Sequence, residues 1–162
     1  MKSLLLIRHA KSSWDMDVDD FDRSLNHRGE RDAPAMASRL ILKNIEIDIL
    51  ISSPAKRALT TAGYFAKAYN IANEKIILIP SLYEPTSEAF LNALQNLNDI
   101  NKTVAIFSHN PGITHFVNSL TNAQIDDMPT CAIFAVHLDI GHWQDFTIGK
   151  KKFWFFDHPK AL

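Results

Sequence analysis

Four short stretches of this sequence carry residues whose chemistries fit together: Arg8-His9, Ser52-Ser53-Pro54 followed by Arg57, Glu84 after Leu82-Tyr83, and Ser108-His109-Asn110. Arginine presents a planar fork of donors that matches phosphate oxygens bidentately and stays charged. Two arginines and a protonated histidine offer about three positive charges to a phosphoryl dianion, enough to bind it and to hold the charge spread over its equatorial oxygens during transfer. A neutral imidazole is a competent nucleophile toward phosphorus, and a covalent intermediate divides one hard displacement into two easier ones. A carboxylic acid on the leaving-group side can protonate the departing atom and then take a proton from the attacking water. Helix starts at Ser53-Pro54 and Asn110-Pro111 would add free backbone N–H groups and a positive dipole end. Nothing in this scheme needs a metal or a cofactor.

Taken singly, each residue has an ordinary role open to it. Arg8 could be a rim ion pair, Arg57 a solvated helix position, His9 or His109 a hydrogen-bonded core histidine, and Glu84 before Pro85 a loop carboxylate. The elements that position them change that balance. Leu4–Ile7, Ile47–Ile51, Ile76–Ile79 and Thr103–Phe107 are short apolar runs read as buried strands. Helices are predicted over 27–43, with Ala33, Met36, Ala37, Leu40 and Ile41 on one face and Pro34 either kinking the helix or marking its first turn. A second helix carries Ala55 to Tyr69 behind an Ser53 cap and Pro54, a third covers 87–97, and a fourth packs through Ile113, Phe116, Val117 and Leu120. Cys131–Leu138 and Trp143–Ile148 read as an antiparallel hairpin turning near Gly141, with Phe153–Phe156 as a further short strand. Cys131 is then a small core residue of a strand.

Alternation of strand and helix through the first 120 residues predicts an α/β fold, a three-layer α/β/α sandwich with a mostly parallel mixed sheet. Ligands in such sheets bind outside the carboxyl ends of the strands. Arg8, His9, Arg57, Glu84 and His109 all follow strand ends, so they are expected on one edge.

Composition narrows the alternatives. The 162 residues favour one domain, 1–162, and carry 17 Lys+Arg against 18 Asp+Glu, a balance unlike that of a nucleic-acid or anionic-membrane binder. A single cysteine, Cys131, cannot form an internal disulfide, and the four apolar residues after Lys2 and Ser3 are too few for a signal-peptide core, so a cytoplasmic protein is expected. No apolar run approaches the ~20 residues of a membrane span. Five glycines form neither a nucleotide-binding loop nor a dinucleotide fingerprint; Gly149-Lys150 runs into Lys151. There is no His-Glu-x-x-His, and a metal among His9, His109 and Glu84 would lie beside two arginines, which electrostatics disfavours. Lys150–Lys152 reads as a solvated turn, and His27, His115, His137, His142 and His158 as structural or surface residues.

The motifs resemble those of the histidine phosphatase superfamily, also called phosphoglycerate mutase-like, and most of all its small SixA-type phosphohistidine phosphatases. Arg8-His9-Ala10 stands where the family has Arg-His-Gly. Leu25 to Ala33 resembles the segment leading into the first helix, and Ser52 to Ala62 closely matches the motif with the second phosphate arginine. Leu82-Tyr83-Glu84 is similar to the proton-donor segment, and Ser108 to Gly112 to that of the second histidine. The resemblance implies His9 as the phosphorylated nucleophile, Arg8, Arg57 and His109 as the phosphate pocket, and Glu84 as acid/base. It further implies a metal-independent monomeric phosphohydrolase, without cofactor, acting on a phosphorylated protein; the rival substrates are small phosphate esters, and the rival from another class is a non-catalytic phosphate-binding module. Lys11–Asp22 is the one sizeable loop available as a rim, with Lys11, Ser12 and Trp14 at its edge; an open pocket of this kind suits a phosphoryl group presented on a protein.

Overall fold

The computed structural model describes residues 1–14 and 17–161. Six strands form one sheet in the order β3-β2-β4-β1-β5-β6: β1 (Lys2–Arg8), β2 (Ile49–Ser52), β3 (Ile77–Leu78), β4 (Thr103–Ser108), β5 (Ile133–Asp139) and β6 (Lys150–Asp157). The first four run parallel, β5 adds antiparallel to β1, and β6 adds antiparallel to β5. Four helices cover the faces: α1 (His27–Leu42), α2 (Lys56–Ala68), α3 (Ser87–Gln95) and α4 (Gly112–Asn118). This is the layered α/β arrangement expected.

Side-chain alternation explains why β1 is apolar throughout Leu4–Ile7 and β4 throughout Val104–Phe107. Leu4, Leu6, Val104 and Ile106 join Phe90, Leu94, Phe116 and Val117 in a core beneath α3 and α4. Leu5, Ile7, Ala105 and Phe107 meet Met36, Leu40, Phe65 and Ala66 beneath α1 and α2. A strand buried on both faces reads as a continuous apolar run.

Local departures from the expected elements have identifiable causes. α1 starts at His27 because the Asn26 side chain accepts from the Gly29 N–H at 2.9 Å; Pro34 lies inside the helix, not in its first turn, and Ile41 faces outward. α2 starts at Lys56, and the Ser53 hydroxyl accepts from Ala55 N–H, two residues on, so it does not cap this helix as expected. At Gly112, where α4 begins, Pro111 offers no side-chain cap. β3 shrinks to Ile77–Leu78, exposed at the sheet edge. The hairpin partner of β5 is β6 and not Trp143–Ile148: Trp143 opens a 3-10 turn whose indole N–H donates to the Asn101 carbonyl and whose ring is fully buried. Cys131 precedes β5 in a turn with φ 59°, still buried but not in a strand. Lys150–Lys152 begin β6, and Trp154 is an extra residue in its ladder, since Ala135 pairs with Phe155 and Val136 with Phe153.

The connection after β1 is folded back on α1. Ser12 bridges Leu25, and the Lys11 carbonyl accepts from Asn26 N–H at 3.0 Å. A Cβ on Gly29 would stand 2.1 Å from that carbonyl oxygen, so this crossing requires glycine. Asp15 and Met16 of the expected Lys11–Asp22 loop lie outside the described residues. Gly29→Ala should therefore lower stability by about 1–3 kcal/mol in chemical denaturation; a variant as stable as the parent would show that the segment yields freely.

Candidate active site

Strand register assembles the site. Arg8 pairs with Ser108 and Phe107 with Ser52, so the chain leaves β1, β4 and β2 at the same level. The His9 N–H donates to the Ser108 carbonyl at 3.2 Å, and the His9 carbonyl accepts from Cys131 N–H at 3.0 Å. Ala10 N–H donates to Thr61 Oγ1, which in turn donates to the Arg57 carbonyl, so α2 holds the turn that follows β1.

The His9 ring is buried, with Nδ1 2.8 Å from the Ala10 carbonyl. A carbonyl only accepts, which assigns the proton to Nδ1 and leaves the lone pair on Nε2. His109, its ring centroid 5.1 Å from that of His9, has Nε2 2.8 Å from Ser53 Oγ. Ser53 Oγ accepts from Ala55 N–H and, with a second lone pair and a hydrogen of its own, serves His109 Nε2 in either tautomer; His109 Nδ1 is buried without a partner. Burial lowers the His9 pKa to about 3, helped by the positive charge of neighbouring groups and opposed by the Ala10 hydrogen bond. Burial, then Arg57, lowers His109 to about 3, opposed by Asp20. Both imidazoles are therefore neutral at neutral pH, so the protonated histidine expected beside the two arginines is not present: burial keeps the proton off.

The two arginines are tied down by their terminal nitrogens. Arg8 Nη1 donates to the Met128 carbonyl at 2.7 Å, and burial lowers its pKa. Arg57 Nη1 donates to the Asp20 carbonyl at 2.6 Å and Nη2 to Asp20 Oδ2 at 3.0 Å. In both residues Nε is buried and unpartnered. Glu84 is exposed, and its segment is held by Ser108 Oγ donating to the Leu82 carbonyl and by the close approach of Gly112, where a Cβ would stand 2.2 Å from the Pro85 carbonyl oxygen.

All five residues singled out in the sequence, Arg8, His9, Arg57, Glu84 and His109, line one cavity of about 730 Å³, with Lys11, Ser12 and Trp14 at its wall. Sequence reasoning missed Asp20, Arg23 and Tyr83 on the same wall. Arg23 is buried, donates to Asp20 Oδ1 at 3.1 Å and to Ser12 Oγ at 2.7 Å, and stacks on Trp14. The available signal was the three-residue spacing of Asp20 and Arg23 at the end of the Lys11–Asp22 loop, which the sequence offers as a rim without singling out either residue. His137 stacks on Trp154 and His142 pairs with Asp99, both away from the cavity. Among the described residues no three His, Cys, Asp or Glu side chains are grouped to hold a metal ion, and no helix is long and apolar enough to cross a membrane. Chemically, the cavity offers a neutral imidazole with a free nitrogen, two guanidinium N–H donors and a second histidine nitrogen without partners, and one exposed carboxylate.

A model of the histidine phosphatase superfamily (branch 1) matches residues 4–90. An uncharacterized chloroplastic protein of Arabidopsis thaliana is 29% identical over 154 residues, covering 89% of this chain and 70% of its own. The protein histidine phosphatase SixA, solved with tungstate, superposes with a TM-score of 0.83 at 24% identity, over 97% of each chain. A phosphoserine phosphatase variant of Entamoeba histolytica with phosphoserine superposes with a TM-score of 0.66 at 18% identity, over 99% of this chain and 98% of its own. At these identities the two structures share the fold.

The depressed histidines make stability depend on pH. An unfolded histidine titrates near 6.5 and these fold with values of about 3, so between those limits the unfolded chain binds more protons. Stability is therefore full above pH 6.5 and falls as pH drops toward 3. Between pH 6 and 4.5 the parent should lose about 1.4 kcal/mol per pH unit more than His9→Asn in urea denaturation. Parallel pH dependences would mean that His9 is not held neutral by the fold.

Proposed function

The chain belongs to the histidine phosphatase superfamily, and from that premise we propose that it removes phosphoryl groups through a phosphohistidine formed on His9, with phosphohistidine on a protein as its substrate. The observation that carries this reading is the fixed tautomer of His9. Its Nδ1–H is committed to the Ala10 carbonyl, so Nε2 holds a lone pair at neutral pH inside a cavity walled by two arginines. Nε2 attacks phosphorus, the bond from phosphorus to the leaving nitrogen or oxygen breaks, and the Glu84 carboxyl hands its proton to that atom. Arg8, Arg57 and His109 hold the equatorial oxygens. Water then attacks phospho-His9, giving a proton to the Glu84 carboxylate; phosphate departs and Nε2 recovers its lone pair.

The shape of the mouth supports a substrate presented on a protein. Trp14 is 78% exposed at the wall, and the fold is that of a protein histidine phosphatase. Glu84 favours a second reading, hydrolysis of small phosphate esters, because a proton donor matters most when the leaving oxygen is basic; the likeness to a phosphoserine phosphatase points the same way. Residues 1–162 act in this reading as one domain, monomeric and cytoplasmic, in keeping with a single free and buried cysteine.

Reaction with labelled phosphohistidine protein, quenched rapidly, should yield an acid-labile adduct that disappears in His9→Ala. An adduct that persists in that variant overturns the mechanism. Turnover of phosphohistidine protein against phosphoserine and sugar phosphates separates the two substrate readings. Glu84→Gln should slow esters with poor leaving groups by about a hundredfold and good ones by less than about tenfold; equal losses across the series would remove Glu84 as the donor.

A further inference from the structure

The pocket leaves unexplained why an acidic residue sits against Arg57. A guanidinium has two donor edges, one made by its two terminal nitrogens and one by Nε with Nη2. Asp20 takes the terminal edge of Arg57, with its backbone carbonyl on Nη1 at 2.6 Å and its carboxylate on Nη2 at 3.0 Å. The Nε of Arg57 is buried and unpartnered, as is that of Arg8, whose Nη1 is likewise spent on a backbone carbonyl. Both arginines are thus held from behind.

Asp20 is itself fixed. Oδ1 accepts from Arg23 Nε at 3.1 Å, and Oδ2 accepts from the Tyr83 hydroxyl as well as from Arg57. Arg23 is anchored in turn on Ser12 Oγ and the Ser13 carbonyl. The Tyr83 hydrogen bond and then Arg57 hold the Asp20 carboxyl near pKa 2, so it is ionised throughout the working range.

We propose that Asp20 is a positioning residue that grips the terminal edge of Arg57 and so aims the Nε edge at the phosphoryl group. The inference rests on the reading of Arg57 as a phosphate ligand. It makes a claim opposite to simple electrostatics. An anion beside a phosphate ligand repels the incoming phosphate, so on charge alone its removal should strengthen binding. Orientation works the other way: a guanidinium left with only the Asp20 backbone carbonyl on Nη1 is less ordered and must be ordered further by the ligand, which weakens binding.

The test is calorimetric titration of the full chain with inorganic phosphate. Asp20→Ala should weaken phosphate binding by about tenfold, and Asp20→Asn, whose amide oxygen still accepts from Nη2, should stay within about threefold of the parent. In an Arg57→Lys background Asp20→Ala should cost less than about twofold, because an ammonium has no edge to aim. Phosphate binding as tight or tighter in Asp20→Ala would make Asp20 only a competing anion, and an equal loss in both backgrounds would make its role structural; either overturns the proposal while leaving Arg57 as a ligand. Parent-like phosphate affinity in Arg57→Ala would instead overturn the reading of Arg57, and this inference with it.

Discussion

Cationic groups held away from water at the end of a parallel sheet are the constraint that the rest of this structure answers to. A guanidinium removed from solvent must keep its hydrogen bonds or lose several kcal/mol. Arg8 and Arg57 recover part of theirs from Met128 and Asp20. The remainder, the two Nε groups together with Nδ1 of His109, stays unsatisfied. Under the proposed function a phosphoryl dianion would accept from the two Nε–H groups, and its binding would draw on hydrogen bonds withheld from the folded protein. The apolar layers on both faces of β1 and β4 supply the rigidity that keeps them withheld.

The same burial governs the histidines. Unfavourable surroundings for an imidazolium keep His9 neutral beside two arginines, which is the state a nucleophile needs. A dianion bound here would bring negative charge beside both imidazoles, which favours their protonated forms.

Most of this arrangement was legible before the fold, because it depends on residues at strand ends, and strands buried on both faces announce themselves as apolar runs. Arg8-His9 and Ser108-His109 follow such runs directly, and parallel pairing then brings them to one level. The misread parts are those where local pattern and tertiary context part company. Trp143, Phe146 and Ile148 are apolar enough for a strand, yet Asp99 accepts from the Trp143 N–H and Lys2 lies over its ring, which fixes a turn instead. Cys131 belongs to an apolar run but takes a left-handed conformation so that its N–H can reach the His9 carbonyl. Asp20 and Arg23 were invisible for another reason. The distant partners of Asp20 lie on α2 and beside Glu84, Arg23 is tied only to its own loop, and an acidic stretch looks the same whether it is solvated or folded over a pocket.

Trp154, the extra residue in the outermost antiparallel strand, has a bearing on how this molecule meets others. A flat terminal strand rich in phenylalanine would invite another chain to continue the sheet. Here the added residue twists the ladder, and three consecutive lysines lead into it, so an approaching strand finds neither a matching register nor a neutral edge. The aromatic content needed to close the core is kept from becoming a template for aggregation.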